Sequence, residues 1–202
     1  MAGQGIVGHD DELAAVSDRV TALLGGVSSR LVVEGEAGIG KTTVIDELVD
    51  EARRRGVGIR RGQAHPFERT RPFGAIADAL GITGRSDDPR LAAVGRLIAG
   101  RSSASVDGDP PSTDVRHLVV EGIVDILETL CGSSPVVVAL EDVHWADAST
   151  LMAVSSIAHR LRHVPLLVVV PWRPAPRFAQ LDQLLELILL PVVVAGPARR
   201  SR

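Results

Sequence analysis

The sequence has no tyrosine, two tryptophans and three phenylalanines, so aromatic residues fill only 2% of its 202 positions. A core for such a chain must be built from Val, Leu, Ile and Ala. The apolar share of 45% is still high enough to exclude wholesale disorder. Cys131 is the only cysteine, which excludes an intrachain disulfide and fits a reducing compartment. Net charge is small, at −3, so nothing global marks a nucleic-acid binder. Long hydrophobic runs are lacking as well. The greasiest stretch, Leu184 to Ala195, is interrupted by Glu186 and Pro191 and is too short to span a bilayer. Met1 to Glu12 contains no apolar signal segment. The expected location is the cytoplasm, with no membrane partner.

Lysine is almost absent too, and the single one, Lys41, sits in G-x-x-x-x-G-K-T, from Gly35 to Thr42. This is the pattern of a phosphate-binding loop. An apolar run, Leu31 to Val33, leads in as a buried strand. A helical stretch, Thr42 to Arg55, leads out, with Val44, Ile45, Leu48 and Val49 at helical spacing. Gly35, Gly38 and Gly40 let the backbone curl so that successive N–H groups, including those around Ile39 and Thr43, point at one anion. The helix N-terminus adds its positive dipole end. Lys41 would reach the β- and γ-phosphates of ATP, and the Thr42 hydroxyl would ligate Mg²⁺.

Around this loop the periodicity predicts a helix over 10–24, opened by Asp10, Asp11 and Glu12 and stopped at Gly25 and Gly26. Val57 to Arg61 reads as a second strand. Residues 64–134 are too many for one crossover and divide into helices at 73–80, 89–99 and 114–130. The Ser-, Gly-, Asp- and Pro-rich stretch 101–113 separates the last two as a mobile loop. Pro135 to Leu140 is a third strand, and Ala148 to Arg162 a helix. Leu166 to Val170 is a fourth strand, 177–190 a helix, and Val192 to Val194 a short fifth strand. Strands alternating with helices predict an α/β fold: a doubly wound parallel five-stranded sheet, with a helical insertion between strands 2 and 3. One domain over residues 1–198 with a basic tail at 199–202 is expected, without repeats. His159 and His163 stand four apart, as metal ligands can, but no carboxylate stands near them in the sequence; a cationic helix end explains them better.

The third strand ends in Glu141-Asp142. Acids at the carboxyl end of a buried strand lie at the ligand edge of such a sheet. A phosphate loop needs one there for Mg²⁺, directly or through a water, and another to orient the attacking water. With strand 3 placed near strand 1, and successive strand residues facing opposite sides, the two acids cannot do the same job; motif order gives Glu141 the metal and Asp142 the water. Arg173, after strand 4, would lie beside the γ-phosphate; its alternative is an arginine merely exposed at a strand end.

Four segments together resemble one family: Ile6-Val7-Gly8-His9 with Glu12-Leu13, Gly35 to Thr43, Leu140-Glu141-Asp142-Val143-His144-Trp145-Ala146-Asp147, and Arg173. Arg71-Pro72-Phe73-Gly74 adds to the likeness. It is the AAA-type ATPase domain of the large LuxR-type ATP-binding transcriptional regulators, within the signal-transduction ATPases. The resemblance implies a domain that binds ATP, changes how its neighbours pack, and hydrolyses slowly, as a weak ATPase. It implies Val7 and Gly8 beside the nucleotide, Glu141 and Asp142 as the Walker B acids, and Arg173 as sensor arginine. Other protein domains or protomers are the implied partners. His9 stands where the family usually has Arg, and Glu141 where many relatives have Asp. Family members continue into a lid, a helical region and a helix-turn-helix that are not in this sequence. Hence sequence-specific DNA binding by this chain alone is not expected, and a non-enzymatic ATP-binding module lacking its lid is the alternative function.

Overall fold

The structure, a computed structural model, describes residues 10–35, 38–102, 113–172 and 192–194. Its elements follow the chain as α1 (Asp10–Leu24), β1 (Ser29–Glu34), α2 (Lys41–Arg54), β2 (Gly58–Gln63), α3 (Gly74–Leu80), α4 (Pro89–Ser102), α5 (Thr113–Ser133), β3 (Val136–Glu141), α6 (Ala148–Arg160), β4 (Leu166–Trp172) and β5 (Val192–Val194). Two short 3₁₀ turns, Pro66–Glu68 and Val143–Trp145, were not expected from the sequence. The expected helix at 177–190 lies outside the described residues, as does most of the 101–113 stretch.

All pairings are parallel, and the sheet runs β2-β3-β4-β1-β5. Four strands of six or seven residues make up its body. The expected short fifth strand, Val192 to Val194, is a three-residue edge segment on β1, so the body of the sheet is four-stranded. β3 lies near β1 but not next to it: β4 is between them, bonded to both.

Alternation along the strands builds two cores. Leu31, Val33, Val137, Ala139, Leu167 and Val169 face α1 and α2. Val32, Val136, Val138, Leu140, Leu166, Val168 and Val170 face the layer of α3, α5 and α6. Both faces are covered, which is why these strands read as unbroken apolar runs. β2, at the sheet edge, is the exception. Its Arg60, Arg61 and Gln63 hid its full length from a periodicity argument, and it extends two residues past the expected Arg61.

Gly62 in β2 is there for space. A Cβ at this position would come 2.2 Å from the Ala75 carbonyl oxygen and 2.9 Å from the Ala79 Cβ, both on α3. Gly62→Ala is therefore expected to push α3 off the sheet and destabilise by about 1–3 kcal/mol, the usual range for overpacking. Urea denaturation reads this directly, and an unchanged midpoint would contradict the close approach.

Candidate functional site

The carboxyl ends of the parallel strands converge on one cleft of about 670 Å³. Gly38, Gly40, Lys41, Thr42 and Thr43 line it from the loop after β1 and the start of α2. Glu141, Asp142 and His144 line it from the end of β3. The phosphate loop and the paired acids, about a hundred residues apart, therefore face the same space. Val7, Gly8 and Arg173 lie outside the described residues.

The loop has the backbone its glycines predict. Gly38 and Gly40 take φ of 79° and 105°, which side chains rarely tolerate. Gly40 starts α2 with no side-chain cap hydrogen bond, and the first turn of the helix lines the cleft. Ile39 packs its side chain on the α1–α2 core and anchors the loop. Gly35 is buried at the end of β1, and its carbonyl accepts a 2.6 Å hydrogen bond from the Lys41 ammonium, which is only 8% exposed.

Glu141 is the last residue of β3, but Asp142 is already beyond the strand. Its φ of 51° and ψ of 36° are left-handed, and it starts the 3₁₀ turn Val143–Trp145. Alternation along a strand therefore does not separate the two acids, as the sequence argument assumed. The chain reversal at Asp142 does. Asp142 Oδ2 accepts a 3.0 Å hydrogen bond from the Gln63 amide, whereas Glu141 Oε1 accepts from Arg61 Nε at 2.5 Å. Arg61 also reaches Asp46 of α2, at 2.7 Å. The Glu141 hydrogen bond, then that of Asp46, raises the Arg61 pKa against the pull of burial, so this guanidinium stays charged.

Arg61 and Gln63, which complete the cleft with Pro171, were missed in the sequence. The signal was present: two polar residues at i and i+2 of a strand whose partner ends in acids. The register Gln63↔Glu141 brings them together.

The acidic segment ends in Asp147, and its job is structural. It is buried and caps α6, accepting from the Ser149 and Thr150 N–H groups at 2.8 and 3.0 Å and from the Thr150 hydroxyl at 2.6 Å. It also accepts from the Phe73 N–H at 3.0 Å, across to the start of α3. Phe73 is itself left-handed, with φ of 61°, and fully buried. One carboxylate thus ties a strained turn to a helix start. Arg69 clamps the same segment from outside, donating to the His144 carbonyl at 3.1 Å with its guanidinium 5.2 Å above the Trp145 ring. Asp147→Ala is expected to cost about 2–4 kcal/mol, since it removes a helix cap and strands a buried N–H. A loss below about 1 kcal/mol in urea denaturation would refute the clamp.

His163 Nε2 lies 2.9 Å from Glu128 of α5, and among the described residues no cluster of three or more His, Cys, Asp or Glu could hold a metal. The carboxylates missing from the local sequence come from α5 instead, with Glu121 also bonded to Arg160. No helix among the described residues is long and apolar enough to cross a membrane.

A parallel sheet covered on both faces, with a glycine loop feeding a helix at its carboxyl edge and acids facing it, defines a P-loop ATPase architecture. Residues 6–169 match the AAA ATPase domain, and the chain belongs to that family. It is 24% identical to an uncharacterised protein of Rhizobium meliloti (strain 1021), over 89% of this chain and 20% of that protein. The chain thus spans about a fifth of that relative's length. Among solved structures, the Orc1 protein of Aeropyrum pernix in complex with DNA shares the fold, with a TM-score of 0.57 at 18% identity, over 96% of this chain and 47% of that one.

Proposed function

We propose that this domain binds Mg·ATP and hydrolyses it slowly, as the switch domain of a LuxR-type transcriptional regulator or a related signal-transduction ATPase. The observation that carries the reading is the convergence of Lys41, Thr42, Glu141 and Asp142 on one cleft. The donor set suits the metal. Thr42, Glu141 and Asp142 offer only hard oxygen ligands, and Mg²⁺ is held by one or two carboxylates plus substrate phosphates rather than by a protein cage. Thr42 and Glu141 would hold it. Bound there, it would neutralise charge on the transferring phosphoryl group.

The chain's own groups divide the remaining work. Lys41 and the loop N–H groups bind the phosphates. Asp142, turned away from Glu141 by its left-handed backbone, takes a proton from the attacking water or orients it. Arg173 and the start segment with Val7 and Gly8 are assigned by resemblance, to the γ-phosphate and to the nucleotide's other end. The regulator role rests on the same resemblance, with other protein domains or protomers as partners and the cytoplasm as location.

The test measures ATP affinity with and without Mg²⁺, and single-turnover phosphate release. Binding with release on the order of 10⁻² s⁻¹ or slower is expected, by analogy with GTPases. Binding without release would leave a non-hydrolysing ATP-binding module, and no binding would end the reading.

A further inference from the structure

Arg61 occupies the carboxylate that the functional reading gives to the metal. Its Nε donates to Glu141 Oε1 at 2.5 Å and its Nη1 lies 2.7 Å from Asp46 Oδ1. The three side chains belong to β2, β3 and α2, on the sheet face that also carries α2. Glu141 is 15% exposed, Arg61 36% and Asp46 50%, so the site is wet but sheltered at the metal-binding acid.

We propose that Arg61 is a built-in competitor for Mg²⁺ at Glu141, which keeps bare divalent metal off this acid and makes metal entry depend on the nucleotide's phosphates. The proposal rests on the reading that Glu141 holds the metal. Two opposing effects follow from the contact, and their sizes decide the sign. The hydrogen bond steadies Glu141, and losing one at a part-exposed carboxylate weakens its orientation by a factor of roughly two to five. The positive charge repels a divalent cation. For charges about 6 Å apart, even in bulk water, that repulsion is worth a factor of roughly ten. Repulsion wins, so removing the charge strengthens metal binding. Asp46 is the alternative anchor, to which Arg61 stays bonded when the nucleotide's metal reaches Glu141.

The experiment follows thermal unfolding of the full chain at low salt, with saturating ATP and increasing Mg²⁺, and separately with bare Mn²⁺ and no nucleotide. In Arg61→Gln the Mg²⁺ concentration for half-maximal stabilisation is expected to fall about three- to tenfold, and bare Mn²⁺ is expected to stabilise this variant but not the parent. Arg61→Lys keeps the charge and is expected to stay near the parent. Asp46→Asn takes away the second anchor and is expected to move the Mg²⁺ midpoint upward. A merely structural arginine would lower the melting temperature without moving either metal curve. If the parent binds ATP and the Mg²⁺ midpoint of folded Arg61→Gln is unchanged or higher, the proposal is overturned and the functional reading stands. If the parent binds no ATP, that reading falls, and the Mn²⁺ curves alone decide whether Arg61 screens the acid.

Discussion

Lys41→Ala is expected to weaken ATP binding about a hundredfold. Lys41 is the sole lysine, so no neighbouring ammonium can take its place. Its side chain is already gathered over the loop, held on the Gly35 carbonyl at 2.6 Å and only 8% exposed, so little ordering remains when phosphates arrive. Charge-assisted hydrogen bonds to phosphate are roughly twice as strong as neutral ones. Losing them removes about 2.7 kcal/mol, which is a hundredfold in affinity. Thermal unfolding shows the loss plainly. At ATP one hundred times above the parent dissociation constant, binding stabilises by about 2.7 kcal/mol, and a hundredfold weaker site gains only about 0.4 kcal/mol. An ATP-dependent shift as large in Lys41→Ala as in the parent would refute the phosphate site.

Asp142→Asn is expected to keep ATP binding within a fewfold of the parent and to lose about a hundredfold in single-turnover phosphate release. The substitution is clean for a reason visible in the backbone. Asp142 sits at φ 51° and ψ 36°, a conformation that Asn tolerates as well as Asp. The Asn carbonyl can still accept from Gln63, so the turn Val143–Trp145 should survive. What disappears is the carboxylate, and positioned general bases contribute roughly a hundredfold or more. Glu141→Gln should behave differently, changing the Mg²⁺ dependence of binding. Equal release rates in Asp142→Asn and parent would remove Asp142 from the reaction.

Much of this site could be read from the sequence because its two halves are local. Leu31 to Val33 followed by Gly35 to Thr42 specifies strand, loop and helix within a dozen residues. Val136 to Leu140 ending in Glu141 and Asp142 specifies a buried strand whose polar end meets a ligand. The illegible parts depend on pairings between distant segments. Arg61 and Gln63 gained their partners only through the register of β2 on β3, and edge-strand polarity masks such a strand. Asp147 looked like part of a nucleotide motif, whereas its bonds to Phe73, Ser149 and Thr150 make it a support for two helix starts. Asp142 reads as a strand residue in the sequence, because left-handed backbone in a non-glycine residue leaves no periodic trace.

The strand order also sets a timetable for assembly. β4, residues Leu166–Trp172, is inserted between β1 and β3, which carry the two halves of the cleft. On a ribosome the phosphate loop and the acids emerge well before the strand that bridges them. Until β4 docks, β1 and β3 have an open slot between them, with unpaired backbone on both sides. Pairings so far apart in sequence are slow to form, and exposed strand edges in partly folded chains invite association. Nucleotide-binding competence should therefore arrive late in synthesis and all at once, and nascent chains halted before Leu166 should be the aggregation-prone species.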